Sequence, residues 1–207
     1  MNITLLNLCY IRITNIDSLH FLEYVYSIKK GFFMKRLWEL NAKELAIYIQ
    51  KFYKERYEGN INKRDISPIK LQKALYFLFA YWGQYIGKSK QENSNSEVDF
   101  KEFSENLYTE VIQAWTYGPV LPEIYTLEKE GILNGDISED YLEDTEHNLV
   151  IKEFIDYLLP QIFDISDFGL VDLSHQDNCW KNHYNSQEEF HNNEIPKEEI
   201  INEYCNK

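Results

Sequence analysis

Apolar side chains recur at helical spacing over residues 41–58. They repeat at intervals of three and four residues, which places them on one face of a helix; they are Ala42, Leu45, Ala46, Ile49, Phe52 and Tyr53. Asn41 is a good N-cap residue, and Glu44, three positions later, completes an analogue of the capping box. Gly59 comes next at a position where glycine commonly ends a helix. The pattern therefore predicts a helix over about 41–58.

The strongest helical pattern lies over about 68–87. Ser67 can cap this helix, and Pro68 suits the first helical position because no amide hydrogen is needed there. The predicted buried stripe consists of Leu71, Ala74, Leu75, Leu78, Trp82 and Tyr85. Phe77, Phe79 and Tyr81 widen the stripe, so we expect a central helix that is covered on most sides.

The rest of the chain alternates polar loops with shorter helical patterns. The loops are expected at 88–100, 134–147 and 185–194, and the helices at about 122–130, 149–159, 167–174, 177–184 and 196–204. One glycine and two prolines between Gly118 and Pro122 interrupt any helix there. We therefore expect a mainly α, single compact domain of about six to eight helices, with a short β hairpin near Ala114–Val120.

The first 33 residues differ in pattern from the rest of the chain. Residues 1–33 are apolar and β-branched, then aromatic, whereas the sequence from Met34 onward is much more regular. We expect 1–33 to be an N-terminal extension with little order and 34–207 to be the functional domain.

Charge divides the chain into two unequal parts. The 207 residues carry a formal net charge of −13, which argues against direct binding of nucleic acid. Residues 34–90 hold twelve basic and five acidic side chains, whereas 91–207 hold six basic and 27 acidic ones. A polarised chain of this kind suits contact with a partner of complementary charge.

Cysteine usage and hydropathy bear on the compartment. Cys9, Cys179 and Cys205 are odd in number and far apart, which is typical of a reducing cytoplasm rather than a disulfide framework. No apolar run approaches the roughly 18 residues that span a bilayer, and the start lacks the features of a signal peptide. The sequence predicts a cytoplasmic protein without a membrane partner.

Two patterns invite a catalytic or metal-binding interpretation. Ser67 and Lys70 match S-x-x-K, but the other elements of that chemistry are absent and an N-cap serine explains the same residues. His175, Cys179 and His183 recur every four residues and could offer zinc ligands, although the spacing matches no standard zinc site. We therefore predict no enzyme, no cofactor and no bound metal, with these three residues as weak metal candidates.

Basic residues flank the predicted central helix. They are Lys63, Arg64, Lys70, Lys73, Lys88 and Lys90. They could form a patch for an acidic partner or nucleic acid, but a solvated helix face is the preferred interpretation. The many acidic residues of the second half are likewise most simply a solvated face.

Four segments occur in the order found in one known family. Ile66–Phe77 resembles the family's S-P-x-K-L-Q-K-L-L-Y-Y helix, and Ala114–Tyr125 resembles its A-W-x-x-G-P-V-x-P-x-x-Y signature. Leu173–His175 with Trp180 is similar to its L-T/S-H-x-x-x-P-W motif, and Ile195–Ile201 to its closing helix. The chain thus resembles the Panacea-domain family of SocA-like and phage-associated antitoxins. Cys179 departs from the pattern, which usually has proline before Trp180.

The resemblance implies a function based on contact rather than chemistry. It implies a mostly helical intracellular antitoxin that neutralises a cognate protein toxin encoded nearby, and it brings no catalytic residues. The signature or partner-binding candidates are Lys70, Gln72, Lys73, Tyr76, Trp115, Gly118, Pro119, Pro122, Tyr125, His175 and Trp180. His175 could orient the turn at Gly118 by a hydrogen bond. The preferred alternative is that these residues maintain the fold while a variable surface, including 134–147, selects the partner.

Three other functions stay open on the sequence. The acidic half could mimic nucleic acid in an inhibitor, encoded by a phage or mobile element, of a host nuclease or defence complex. The region of His175 could serve a hydrolase, or the protein could be an adaptor that delivers a bound protein to a protease.

Overall fold

The computed structural model describes six stretches of the chain. They are residues 38–60, 65–92, 99–133, 141–142, 145–186 and 193–207. The predictions for 1–33 and for a boundary at Met34 lie outside the described residues, as does most of the acidic loop 134–147.

The first two helices begin at the predicted caps. Helix α1 spans Ala42–Arg56, and the side-chain oxygen of Asn41 accepts hydrogen bonds from the backbone of the second and third helical residues. Helix α2 spans Pro68–Glu92, and Ser67 Oγ accepts from the backbone of Lys70 at 3.1 Å. The predicted end near residue 87 was wrong, because the polar residues after it are good helix formers with no glycine or proline to stop them until Glu92.

Helix α2 is the centre of the fold. Every residue from Lys70 to Gly83 is buried, which confirms a helix that is covered on most sides. It packs against α1, four later helices and two strands. Such a helix stabilises the fold by burying apolar surface all around its circumference.

Two short pairs of strands accompany the helices. Strand β1, Trp38–Leu40, pairs in parallel with β2, Phe103–Tyr108, which lies directly after a 3₁₀ turn at Phe100–Glu102. Strands β3, Gln113–Trp115, and β4, Gly118–Val120, form an antiparallel hairpin. The predicted hairpin is confirmed, whereas the parallel pair was not predicted.

Five more helices complete the described part of the fold. They are α3 Pro122–Lys129, α4 Glu146–Phe163, α5 Asp167–Ser174, α6 Asn178–His183 and α7 Lys197–Cys205. Helix α4 begins before the predicted residue 149 because Thr145 caps it, with Oγ1 accepting from Asn148 at 3.0 Å. The mainly α class is confirmed, and no helix of the described ranges is both long and apolar enough to cross a membrane.

Helix α7 lies unusually close to α2. A Cβ placed on Gly83 would stand 2.6 Å from Cγ1 of Ile201, and one on Gly87 would stand 2.9 Å from Sγ of Cys205. Two glycines one turn apart therefore form a shallow groove on α2 that receives the C-terminal helix.

Candidate functional site

The predicted solvated lysine at position 73 is buried beneath the β3–β4 hairpin. The Lys73 side chain is 1% exposed, and its Nζ donates a hydrogen bond to the carbonyl oxygen of Pro119 at 2.6 Å. Burial lowers the pKa of Lys73 to about 7. The prediction of a solvated helix face was therefore wrong here, since the amino group acts as a tether between α2 and β4.

Gln72, the residue before Lys73, makes a second tether to the segment that contains Pro119. Gln72 Oε1 accepts a hydrogen bond from the backbone amide of Leu121 at 2.9 Å, and both residues are buried. Its Nε2 has no hydrogen-bond partner within the described residues. Neighbouring side chains of α2 thus hold the chain at positions 119 and 121, immediately before Pro122 starts α3.

Only glycine fits the turn of the hairpin at position 118. Gly118 has φ +93°, a conformation that residues with side chains rarely adopt. A Cβ at this position would overlap Ser174 Oγ and stand 2.9 Å from Cε and Nζ of Lys73. The backbone of the hairpin therefore lies directly against α2 and the end of α5.

A stack of three aromatic rings also supports the hairpin. The His175 ring lies on Trp180 with centroids 3.9 Å apart, and Trp180 lies on Tyr184 at 4.7 Å, with nearly parallel planes. Trp180 Nε1 donates to the carbonyl of Trp115 at 3.1 Å. A hydrogen bond joins the His175 ring to the backbone of Thr116, so the ring contacts the turn as the sequence suggested. Burial lowers the pKa of His175.

Two exposed aromatic side chains lie outside this buried framework. Tyr117, in the hairpin turn, is 56% exposed, and Phe168, in the first turn of α5, is 63% exposed. Their rings meet edge to face with centroids 6.4 Å apart. Trp115 and Tyr125 form a separate edge contact with centroids 5.1 Å apart. We call Tyr117 and Phe168 the aromatic pair.

Lys70, also predicted to be solvated, is buried at the junction of α4 and α5. Its Nζ donates to the carbonyls of Phe163, at 3.2 Å, and Ile165, and lies 3.3 Å from Asp167 Oδ1. Ser67 Oγ donates to the other carboxylate oxygen of Asp167. The S-x-x-K residues thus fasten the α4–α5 connection to α2.

Tyr76 belongs to a separate buried cluster around Asp177. Tyr76 and Tyr204 both donate to Asp177 Oδ2, at 2.5 and 2.9 Å, and Lys207 Nζ lies 2.5 Å from Oδ1. Burial raises the pKa of Asp177, and the Lys207 ammonium opposes that rise. Asp177 was interpreted from sequence as part of a solvated acidic face, and this was wrong.

The three weak metal candidates point to different partners. His175 is stacked on Trp180, Cys179 Sγ lies 3.5 Å from the Tyr76 hydroxyl, and His183 Nε2 lies 2.7 Å from Glu199 Oε2. Burial raises the pKa of Cys179 to about 12. Within the stretches that the structure describes, no three histidine, cysteine or acidic side chains are arranged to hold a metal ion.

Most of the signature residues are therefore inside the molecule. The buried ones are Lys70, Gln72, Lys73, Tyr76, Gly118, Pro119 and Trp180, the half-buried ones are Trp115, Pro122 and His175, and Tyr125 is exposed. This arrangement agrees with the interpretation in which they maintain the fold, while any partner-binding role stays a prediction. Sequence reasoning missed the aromatic pair. The available signal was Tyr117, an aromatic residue next to Gly118 in a turn that is exposed to solvent.

Comparison with known protein families finds a match that includes the hairpin. A family model described as "Antitoxin SocA-like, Panacea domain" matches residues 96–181, and the resemblance predicted from the motifs is confirmed over these residues. The match contains β2, the hairpin and the helices from α3 into α6. No curated protein and no solved structure matches the chain.

Proposed function

We propose that this protein is an antitoxin that neutralises a cognate protein toxin, encoded nearby, by direct protein–protein contact. The observation that carries the proposal is the SocA-like antitoxin match over 96–181, which supports an antitoxin-type function. The matched region includes a hairpin fixed by buried side chains, whose exposed Tyr117 lies against the exposed Phe168 of α5. Rigid, exposed aromatic side chains are common at the energetic centres of protein interfaces.

The state of the potential nucleophiles supports a role without catalysis. Ser67 Oγ is engaged with Asp167 and with the backbone amide of Lys70, and Lys70 Nζ is engaged with Asp167 and with backbone carbonyls. The Cys179 pKa of about 12 keeps the buried thiol protonated, and a thiol is a far weaker nucleophile than a thiolate. Lys73 is committed to the Pro119 carbonyl inside the fold.

We place this activity in the cytoplasm. Cys179 and Cys205 are free thiols in the structure, in keeping with a reducing compartment.

Co-expression with the neighbouring gene tests the proposal. We expect that gene alone to arrest growth, co-expression to restore growth, and the two proteins to elute together on gel filtration. Growth that stays arrested, with no complex on the column, would overturn the proposal.

Two alternatives, an acidic inhibitor and a proteolysis adaptor, predict results that differ from those of the antitoxin proposal. An acidic inhibitor that mimics nucleic acid would bind a host nuclease, and its complex would dissociate in ~1 M NaCl because salt screens charge pairs. A proteolysis adaptor would lower the cellular amount of the toxin without a stable complex. Either result in place of a toxin complex replaces the antitoxin proposal.

A further inference from the structure

We infer that the aromatic pair and the carboxylate of Asp172 form the surface that binds the toxin, and that this surface takes an arginine side chain on the toxin. The inference rests on the proposed antitoxin function and names the face and the chemistry through which it acts.

One stripe of α5 faces the turn of the hairpin. Phe168, Asp172 and His175 are spaced by four and three residues, which places them on the same side of the helix. At one end of the stripe Phe168 contacts the Tyr117 ring, and at the other end His175 bonds the backbone of Thr116. Asp172 is exposed and lies between these two contacts along the stripe.

Both elements that carry the surface are fixed from within. Lys73 and the His175–Trp180 stack hold the hairpin, and the backbone of Gly169 donates to Ser166 Oγ at 3.1 Å in the first turn of α5. A preorganised surface loses little conformational freedom on binding, so its contacts contribute more of their gross energy to affinity. Tyr117 and Phe168 nevertheless stay more than half exposed, so their contiguous apolar surface is open to a partner.

Charge identifies the partner group. Between residues 161 and 180 the chain carries four aspartates and neither lysine nor arginine. Asp177 is buried, Asp167 is paired with Lys70, and Asp164 lies 3.6 Å from Arg56, so Asp172 is the carboxylate that this surface presents. The lowered pKa of His175 keeps its ring from adding a positive charge near neutral pH.

Arginine fits this combination better than lysine does. Its planar guanidinium can lie against an aromatic ring and donate two parallel hydrogen bonds to one carboxylate, whereas lysine offers a compact charge with no flat face. A second copy of this chain is disfavoured as occupant because the acidic surface of a protein with net charge −13 repels its own copy.

The test measures the affinity of the full-length protein for the neighbouring gene's product by isothermal titration calorimetry. We expect the double variant Y117S/F168S to raise Kd at least about 30-fold, because two exposed aromatic contacts are lost from the centre of the surface. Asp172→Asn should raise Kd about 10-fold and reduce the salt dependence of binding. The matched control is Tyr157→Ser on α4, which removes a 44% exposed tyrosine elsewhere and should change Kd less than about 3-fold.

Each outcome has a distinct meaning. If the wild-type protein binds and all variants bind equally, the surface is wrong while the antitoxin proposal stands. If the wild-type protein neither binds nor neutralises, the proposed function itself fails. Self-association that Y117S/F168S abolishes, with neutralisation intact, would assign the surface to a second copy and overturn the inference. Because substitution could disturb the hairpin, Asp172→Lys provides a second variant: unchanged affinity with native circular dichroism would also overturn it.

The identity of the partner side chain has its own readout. Each arginine of the toxin is replaced with lysine in turn. One of these toxin variants should lose affinity for the wild-type antitoxin, as Asp172→Asn does. The same toxin variant should lose no further affinity when the antitoxin already carries Asp172→Asn. Additive losses for every arginine would contradict a contact with Asp172.

Discussion

The amino group of Lys73 lies 2.6 Å from the carbonyl oxygen of Pro119, inside the protein and beneath the hairpin. This contact, together with that of Gln72 to the backbone of Leu121, joins the central helix to the hairpin of the proposed binding surface. A lysine in this position gives up the solvation of its charge, so its protonation is linked to the stability of the fold.

Replacing Lys73 with methionine should remove a pH dependence of stability. Burial lowers the pKa of Lys73 from its ordinary 10.5 to about 7 in the folded protein. Between pH 7 and pH 10.5 the unfolded chain therefore binds one proton more than the folded protein does. The wild-type free energy of unfolding should therefore gain roughly 1.4 kcal/mol per pH unit from this group as the pH rises above 7. Urea unfolding at pH 7, 8 and 9 measures it, and the gain should be absent in Lys73→Met.

The exposed Lys88 on the same helix provides the control for that measurement. Lys88→Met should keep the wild-type slope. Parallel stability curves for wild type and Lys73→Met would show that Lys73 does not titrate within the fold.

Gly118→Ala should be considerably more destabilising than the same change at Gly59. Both glycines have positive φ, but a Cβ at Gly118 meets Ser174 and Lys73, whereas nothing lies within 4 Å at Gly59. We expect a loss of about 1 kcal/mol at Gly59 from backbone strain alone and roughly 3 kcal/mol at Gly118, where overlap adds to strain. Chemical denaturation measures both, and equal losses would mean that the hairpin moves away from α2 at little energetic cost.

Gly83→Ala should destabilise the contact of α2 with α7 even though alanine favours a helix. The gain in helix propensity is about 1 kcal/mol, but the new Cβ would stand 2.6 Å from Cγ1 of Ile201. Overlap of this kind costs about 1–3 kcal/mol, so a net loss is expected. The double variant G83A/I201A should be less destabilised than the sum of the single changes, because Ile201→Ala removes the overlapping atom. Strict additivity in thermal or urea unfolding would contradict the close approach.

Asp177→Ala should be among the most destabilising substitutions of a polar residue. It leaves the buried hydroxyls of Tyr76 and Tyr204 without their acceptor, and removes the anion that faces Lys207. We expect a loss of about 3 kcal/mol or more, against about 1 kcal/mol for Tyr204→Phe, which removes only one hydroxyl. Urea unfolding would refute this arrangement if Asp177→Ala were the milder of the two.

The helices were largely predictable because their signals are local. Asn41 and Ser67 are caps that act on neighbouring amides, and the apolar spacing of α1 and α2 reports directly which face is buried. The hairpin was predictable for the same reason, since Gly118 and Pro119 restrict their own backbone. Strand β2 escaped prediction because its buried positions come in pairs rather than alternating, and because its partner β1 is three residues long and lies some 60 residues away.

The site was harder to predict because it depends on contacts between distant segments. Lysine and aspartate side chains are normally exposed to solvent. The sequence near Lys73 therefore does not indicate its burial against Pro119, and the sequence near Asp177 does not indicate its burial against Tyr204. The family motif did point to the region, since residues of three signature segments meet at the hairpin. It could not reveal Tyr117 and Phe168 as a pair, because their contact joins residues about 50 positions apart.

The central position of α2 has a consequence for synthesis on the ribosome. The helix is complete at Glu92, yet α7, which covers the groove at Gly83 and Gly87, ends at Cys205, about 110 residues later. At translation rates of about 5–20 residues per second, that interval lasts roughly 6–20 s. During this time the central helix lacks its final cover, so apolar surface that is buried in the folded protein stays open to chaperones and proteases.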